Sequence, residues 1–276
     1  MKRLLLPLTA VLLAVSAAPA TAHYNMLLPD KHSVKKGEAV TLTYQWGHPF
    51  EHQLFDAPAP EKLTVLAPNG KATELTKALE KTTVPAAEGK KVTAYRLKFT
   101  AEQRGDYVFV LQTPPIWMKE EEEFYQDTVK AVLHVEAQKG WDAAAKDTSH
   151  LVPLTRPYGL QPGMVFQAQV DRPVIRTMGV MTGRSSSAQM SELVLPPSRL
   201  VEVERYNPAP PKELPPDEQI TRAVKTDPTG VATCTLTEPG WWSVTAHRDG
   251  GAREHGGKKY PVRQRATLWV FVDEKR

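Results

Sequence analysis

From Val40 the chain reads VTLTYQW, in which Val40, Leu42, Tyr44 and Trp46 alternate with Thr41, Thr43 and Gln45. Successive side chains of a strand point to opposite faces, so this alternation predicts a half-buried strand. Similar runs predict strands over 63–66, 93–99, 107–111 and 129–135. Between them lie Pro68-Asn69-Gly70, Glu88-Gly89 and Arg104-Gly105-Asp106, which carry turn chemistry. A second series follows over 164–170, 200–205, 231–236, 242–246 and 267–272. No stretch sustains a 3.6-residue apolar period, and only 74–81 passes for a short helix. The expected class is therefore all-β, with two sandwiches: 23–137 and 155–276, joined by a linker over 138–154 that lacks alternation.

Two segments interrupt the strands. Residues 179–198, with Arg184-Ser185-Ser186-Ser187, read as a flexible insertion without an assigned role. The Pro-rich PAPPKELPP of 208–216 reads as an extended surface loop. The first sandwich has the strand pattern of an immunoglobulin-like domain. In the second, KTDPTG and Pro239-Gly240 bracket a hairpin that resembles those of carboxypeptidase-regulatory and transthyretin-like sandwiches.

The first residues change the compartment. Met1-Lys2-Arg3, an apolar run and Ala20-Thr21-Ala22 form the charged start, core and small-x-small end of a secretory signal peptide over 1–22. The apolar run is shorter than the roughly 20 residues of a spanning helix, so no stable membrane insertion is expected. The periplasm is the expected location, and His23 the first mature residue. A single cysteine, Cys234, leaves no intramolecular disulfide, so stability must come from cores. Loss of Lys2 and Arg3 takes the formal net charge from +4 to +2, with the remaining charges scattered. No basic stripe for nucleic acid is present.

The candidate chemistry lies in WGHPFEHQLFD, which places His48, Glu51 and His52 within five positions of one another. An N-terminal His23 would offer its α-amino group and its imidazole together, and the α-amino pKa near 8 allows a metal to displace the proton. Folded back onto this loop, it would supply with His48 and His52 a nitrogen-rich set. Such a set favours nickel, cobalt, copper or zinc over calcium or magnesium. Glu51 serves as a further ligand or orients an imidazole. The alternative is a structural loop with Phe50 in the sandwich and both histidines solvated.

Other groups carry less. His134 is expected on the exposed face of its strand, and His32 and His150 in solvated loops. His247 and His255 flank a Gly-rich excursion and form at most a second, weaker site. The run Glu120 to Glu123 reads as a solvated negative loop. Cys234 lies in a strand and reads as inert. No G-x-S-x-G, H-E-x-x-H or phosphate loop occurs, so no enzyme is expected.

Three motifs, GHPFEH, PLTRPYGLQPG and KTDPTG with PGWW, resemble those of a bacterial periplasmic domain-of-unknown-function family labelled the periplasmic component of nickel or cobalt ABC transport. The resemblance spans nearly the whole mature chain and departs from the family pattern at 179–198. It implies a nickel or cobalt ion bound near the N-terminus and a membrane metal transporter as partner. Three readings stand beside one another. The leading one is an accessory metal-binding protein using His23, His48, His52 and Glu51. The second is a metal-free envelope binding or scaffold module, and the third a copper histidine-brace oxidative enzyme.

Overall fold

A computed structural model describes residues 23–143, 151–171, 174–181 and 187–275. The expected signal peptide and His150 lie outside them. The described residues form an all-β protein. In chain order the strands are β1 (Tyr24–Pro29), β2 (Ser33–Val34), β3 (Ala39–His48), β4 (Gln53–Phe55), β5 (Lys62–Leu66), β6 (Ala72–Glu74), β7 (Glu80–Pro85), β8 (Lys91–Thr100), β9 (Gly105–Gln112), β10 (Ile116–Met118) and β11 (Glu123–Val135). They continue as β12 (Val152–Pro153), β13 (Met164–Gln169), β14 (Val174–Met181), β15 (Ser187–Val194), β16 (Leu200–Arg205), β17 (Thr221–Lys225), β18 (Val231–Leu236), β19 (Gly240–His255) and β20 (Lys258–Val272). One short helix, α1 (Asp217–Ile220), precedes β17.

The short helix expected over 74–81 is not formed. A single 3-10 turn, Thr76–Ala78, sits between β6 and β7, and none of its residues is buried. Without an apolar stripe to pack, a lone helical turn has nothing to extend it. The expected insertion at 179–198 also differs, because β14 and β15 pair as an antiparallel hairpin from Val174↔Val194 to Met181↔Ser187.

The strands build four sheets. One has the order β1-β3-β8-β7, with β4 on the end of β3; a long one runs β17-β16-β19-β20-β11-β9-β5-β6; β12-β13-β18 and β14-β15 complete the set. In the long sheet, β11 of the first half and β20 of the second run parallel from Phe124↔Val262 to Ala131↔Trp269. The two halves of the sequence thus share one sheet. Arg265 and Asp127 bridge this seam with bonds of 2.8 and 2.6 Å, both residues being buried. Asn25 Nδ2 donates to Asp127 at 2.6 Å and Tyr44 donates to Asn25 at 2.6 Å, which ties β1 and β3 to the seam. A bidentate, fully hydrogen-bonded pair is the form in which buried charge is tolerated.

Period-two alternation along β20 explains how one strand serves two cores. Ala266, Leu268, Val270 and Val272 pack with Phe166, Leu236 and Trp242 on one face. Trp269 turns to the other, among Tyr24, Leu42, Phe109 and Leu133. Parts of the stretch 138–154 are packed: Trp141 and Ala143 lie against Tyr158 and Val132, and Leu151 is buried with its carbonyl bonded to Lys130 Nζ at 2.8 Å. The Pro-rich segment lies mostly exposed, as its composition suggests.

Candidate metal centre

The site begins with strand register. β1 and β3 are antiparallel, with Tyr24 opposite Gly47, so the residue before β1 lies beside the residue after Gly47. Those residues are His23 and His48, whose ring centroids are 4.6 Å apart at 68°. Residues directly opposite on paired strands have neighbouring side chains, and that cross-strand proximity is the reason the two imidazoles meet. Trp46 stacks on His23 at 5.1 Å, and Phe55 of β4 lies 5.2 Å from His23 and 5.5 Å from His48. The pair therefore sits in an aromatic cup.

His48 is the last residue of β3 and is buried, rather than solvated in a loop. Gly47 makes this turn possible. Its φ is +150°, and a Cβ there would fall 2.1 Å from the Gln53 carbonyl oxygen, so no other residue fits without moving β4. Burial pushes the His48 imidazole below the usual histidine range, against the opposing pull of Glu51, the Gln53 side chain and Glu121. Its Nε2 is buried without a hydrogen-bond partner, as is Glu51 Oε2. Buried polar atoms are nearly always paired, so these two, at the end of β3 and in the loop after it, stand out as unspent acceptors. A neutral imidazole with an unspent nitrogen beside a carboxylate is suited to a nitrogen-preferring cation.

His52 does not join them. Its Nδ1 lies 2.9 Å from the Asn207 carbonyl oxygen and its ring packs near Tyr206. It occupies a left-handed conformation at φ +53° that turns the chain into β4. Among the described residues, no group of three or more His, Cys, Asp and Glu side chains is gathered closely enough to hold a metal ion. The loop also leans on residues that carried no signal in the sequence. Glu204 accepts from Phe50 N–H at 3.2 Å, and Asn207 binds the Pro49 and Phe50 carbonyls. Both partners come from beyond position 200, where only long-range packing reveals them.

The remaining histidines correct several expectations. His134 is not an exposed strand residue: its Nδ1 lies 2.7 Å from Asp106 and its ring stacks on Tyr158 at 4.3 Å. His32 is not simply solvated, because it stacks on Phe271 at 3.9 Å and lies 3.2 Å from Asp273. His247 and His255 do not form a common site. They lie eight positions apart on β19, about 25 Å along a strand, with His247 beside Glu202 and His255 stacked on Trp117. The acidic run is not uniformly solvated either. Glu123 is buried and paired with Arg263 at 2.9 Å, while Glu120 and Glu122 are exposed. Cys234 lies in β18, and burial raises its thiol to about 11, which keeps it protonated and unreactive at neutral pH.

A family model for a domain of unknown function, DUF4198, matches residues 20–171, more than half of the chain. The chain belongs to the DUF4198 family. The match includes His23, His48, Glu51 and His52, and it ends before Glu204 and Asn207. No curated protein matches the chain. Among solved structures, a DUF4785 family protein of Legionella pneumophila is 10% identical, with 81% of this chain and 52% of that one covered at a TM-score of 0.26. Activated alpha-2-macroglobulin of Escherichia coli is 13% identical (91% and 20% covered, TM-score 0.24), and latent PorU of Porphyromonas gingivalis 8% (91% and 20%, 0.23). The chain thus spans about half of the Legionella protein and a fifth of the other two. Scores this low establish no shared fold.

Proposed function

We propose that this DUF4198 chain is a non-enzymatic metal-binding protein of the cell envelope, holding a divalent transition-metal ion at His23 and His48 as an accessory to nickel or cobalt uptake. The observation that carries the reading is the cross-strand contact of the two imidazoles, with the buried Nε2 of His48 unpartnered. If export removes residues 1–22, His23 adds its α-amine to its imidazole. Two residues then offer three nitrogens, a donor set that does not require three clustered side chains. Glu51, with its own unpartnered oxygen, adds negative charge beside them. His52 acts as the anchor of the loop rather than as a ligand.

Three nitrogens suit nickel, cobalt, copper and zinc, and intrinsic affinity ranks copper first. A role in nickel or cobalt uptake therefore rests on supply and on hand-over to a membrane transporter, not on the donor set alone. The metal-free binding module stays in view because, among the described residues, no third His, Cys, Asp or Glu side chain is gathered with the pair closely enough to hold an ion.

Calorimetric titration of protein beginning at His23, beside a version with one extra residue before it, separates the two. One tight equivalent of nickel or cobalt, weakened at least tenfold by the extra residue and by His48→Ala, is the expected result. No binding by either version leaves the metal-free module.

A further inference from the structure

The loop between β3 and β4, residues 49–52, lies between His48 and the first residue of β4, and it carries Glu51. Two buried residues of the second half hold it: Glu204 accepts from the Phe50 N–H at 3.2 Å, and Asn207 makes the larger set of bonds. Asn207 donates its backbone N–H to the Pro49 carbonyl at 3.0 Å and its Nδ2–H to the Phe50 carbonyl at 2.6 Å. Its own carbonyl accepts from His52 Nδ1 at 2.9 Å, and its Oδ1 accepts from Arg205 Nη1 at 2.9 Å. Each of the residue's four polar atoms thereby makes a hydrogen bond. The Arg205 bond also decides which way the amide faces: with Oδ1 committed to a guanidinium, only Nδ2 is left for the Phe50 carbonyl. Arg205 is itself held by Glu238 at 3.0 Å and by the Pro239 carbonyl at 3.2 Å.

We infer that Asn207 is the positioning residue of the metal centre, setting where Glu51 and His48 stand relative to each other by clasping the backbone between them. The inference rests on the metal reading proposed above. A four-residue loop with a non-glycine residue at φ +53° does not keep one conformation unaided, because a left-handed residue persists only where its surroundings hold it. Asn207 supplies that hold at both carbonyls preceding Glu51 and at the imidazole following it. The bond from His52 Nδ1–H to a carbonyl also fixes the His52 tautomer and turns that ring to Asn207. The clasp lies outside the stretch matched by the family model, so the matched stretch alone does not contain all that shapes its loop.

The test uses the full chain beginning at His23, with cobalt(II) as the probe. Asn207→Ala removes the side-chain clasp. Asn207→Asp keeps the acceptor for Arg205 and both backbone bonds, and loses only the donor to the Phe50 carbonyl. Tyr158→Phe serves as a control that removes a buried hydrogen bond to Asp106 away from the loop. Three quantities are read: cobalt affinity, the visible absorption spectrum of bound cobalt, and amide exchange across 50–53 in the metal-free protein.

Both Asn207 variants are expected to weaken cobalt about tenfold or more, to alter the cobalt spectrum, and to speed exchange across 50–53 while β8 and β11 stay protected. Tyr158→Phe is expected to leave affinity and spectrum unchanged. Wild-type affinity and spectrum in both Asn207 variants would overturn the inference while leaving the metal reading standing. A loss no larger than that of Tyr158→Phe, with an unchanged spectrum, would overturn it equally. Absence of cobalt binding by the wild type, with nickel also unbound, overturns the metal reading and this inference together.

Discussion

His48 and His134 stand at the C-terminal ends of two long strands, β3 and β11, and both are largely removed from solvent. Their nitrogens fare differently. His134 bonds Asp106 Oδ1, its ring lies on Tyr158, and Tyr158 donates to Asp106 Oδ2 at 2.9 Å. The carboxylate is used at both oxygens, and the triad closes β9, β11 and the chain after β12 against one another. His48 has an aromatic cup and a neighbouring carboxylate, yet its Nε2 and Glu51 Oε2 remain unsatisfied. Burial of an imidazole therefore says little about function. An unspent nitrogen inside the fold says more, because it represents a cost that a structural role does not recover.

The largest effect that tests this contrast is on stability. Asp106→Ala strands the His134 nitrogen and the Tyr158 hydroxyl in buried surroundings, so it should cost about 3 kcal/mol in denaturant unfolding and leave metal affinity unchanged. His48→Ala removes a side chain that already lacks a hydrogen bond at Nε2, so it should cost no more than about 1 kcal/mol while losing metal. If the two substitutions destabilise equally, or if Asp106→Ala also abolishes metal binding, the distinction between a closed and an open histidine fails.

The same contrast shows what the sequence could disclose. β3 was legible because VTLTYQW alternates with period two, and GHPFEH was legible as a histidine-rich turn. β1 was not, because all six residues of YNMLLP are buried and leave no alternation to read. The register that sets His23 beside His48 depends on that strand, so local pattern marked the two residues without showing how they meet. His134 was assigned to an exposed face by correct alternation. Tyr158, from a distant part of the chain, then covers that face. Asn207 and Glu204 gave no signal at all, since an asparagine ahead of a Pro-rich loop and a glutamate in a strand acquire their roles only when β16 arrives beside the 49–52 loop.

Glu204 sharpens the comparison from the other side, as a buried group whose atoms are all spent and which still titrates abnormally. Its Oε1 accepts from Phe50 N–H and its Oε2 from the Thr221 hydroxyl. Burial nevertheless pushes its pKa up to about 8, with Glu51 and Glu202 adding to the rise. A carboxyl raised in the fold contributes stability fully present below its unfolded value of 4.5 and lost as pH climbs through about 8. Glu204→Gln keeps an acceptor for Phe50 and offers Thr221 a donor. The variant should lie close to the wild type near pH 5 and clearly exceed it near pH 8.5, read from urea unfolding at both pH values. A constant difference between the two pH values would mean that Glu204 is not the titrating group.

The smallest expected effect concerns His48 itself in the metal-free protein. Its imidazole faces Glu51, Gln53 and Glu121, and burial outweighs all three to hold its pKa below the ordinary 6.5. A histidine lowered in the fold takes up its proton more readily when unfolded, so the stability it contributes is present above 6.5 and lost as pH falls below it. His52 and His32 are lowered by burial in the same direction, and the wild type therefore loses stability on acidification from several sites at once. His48→Ala should remove one part of that slope, flattening the fall in stability between pH 6.5 and 5.5. Parallel unfolding curves for the two proteins across that interval would mean that His48 is not held neutral by the fold. The unspent nitrogen would then be a protonated one, and its readiness for a metal would have to come from deprotonation on binding rather than from the structure that surrounds it.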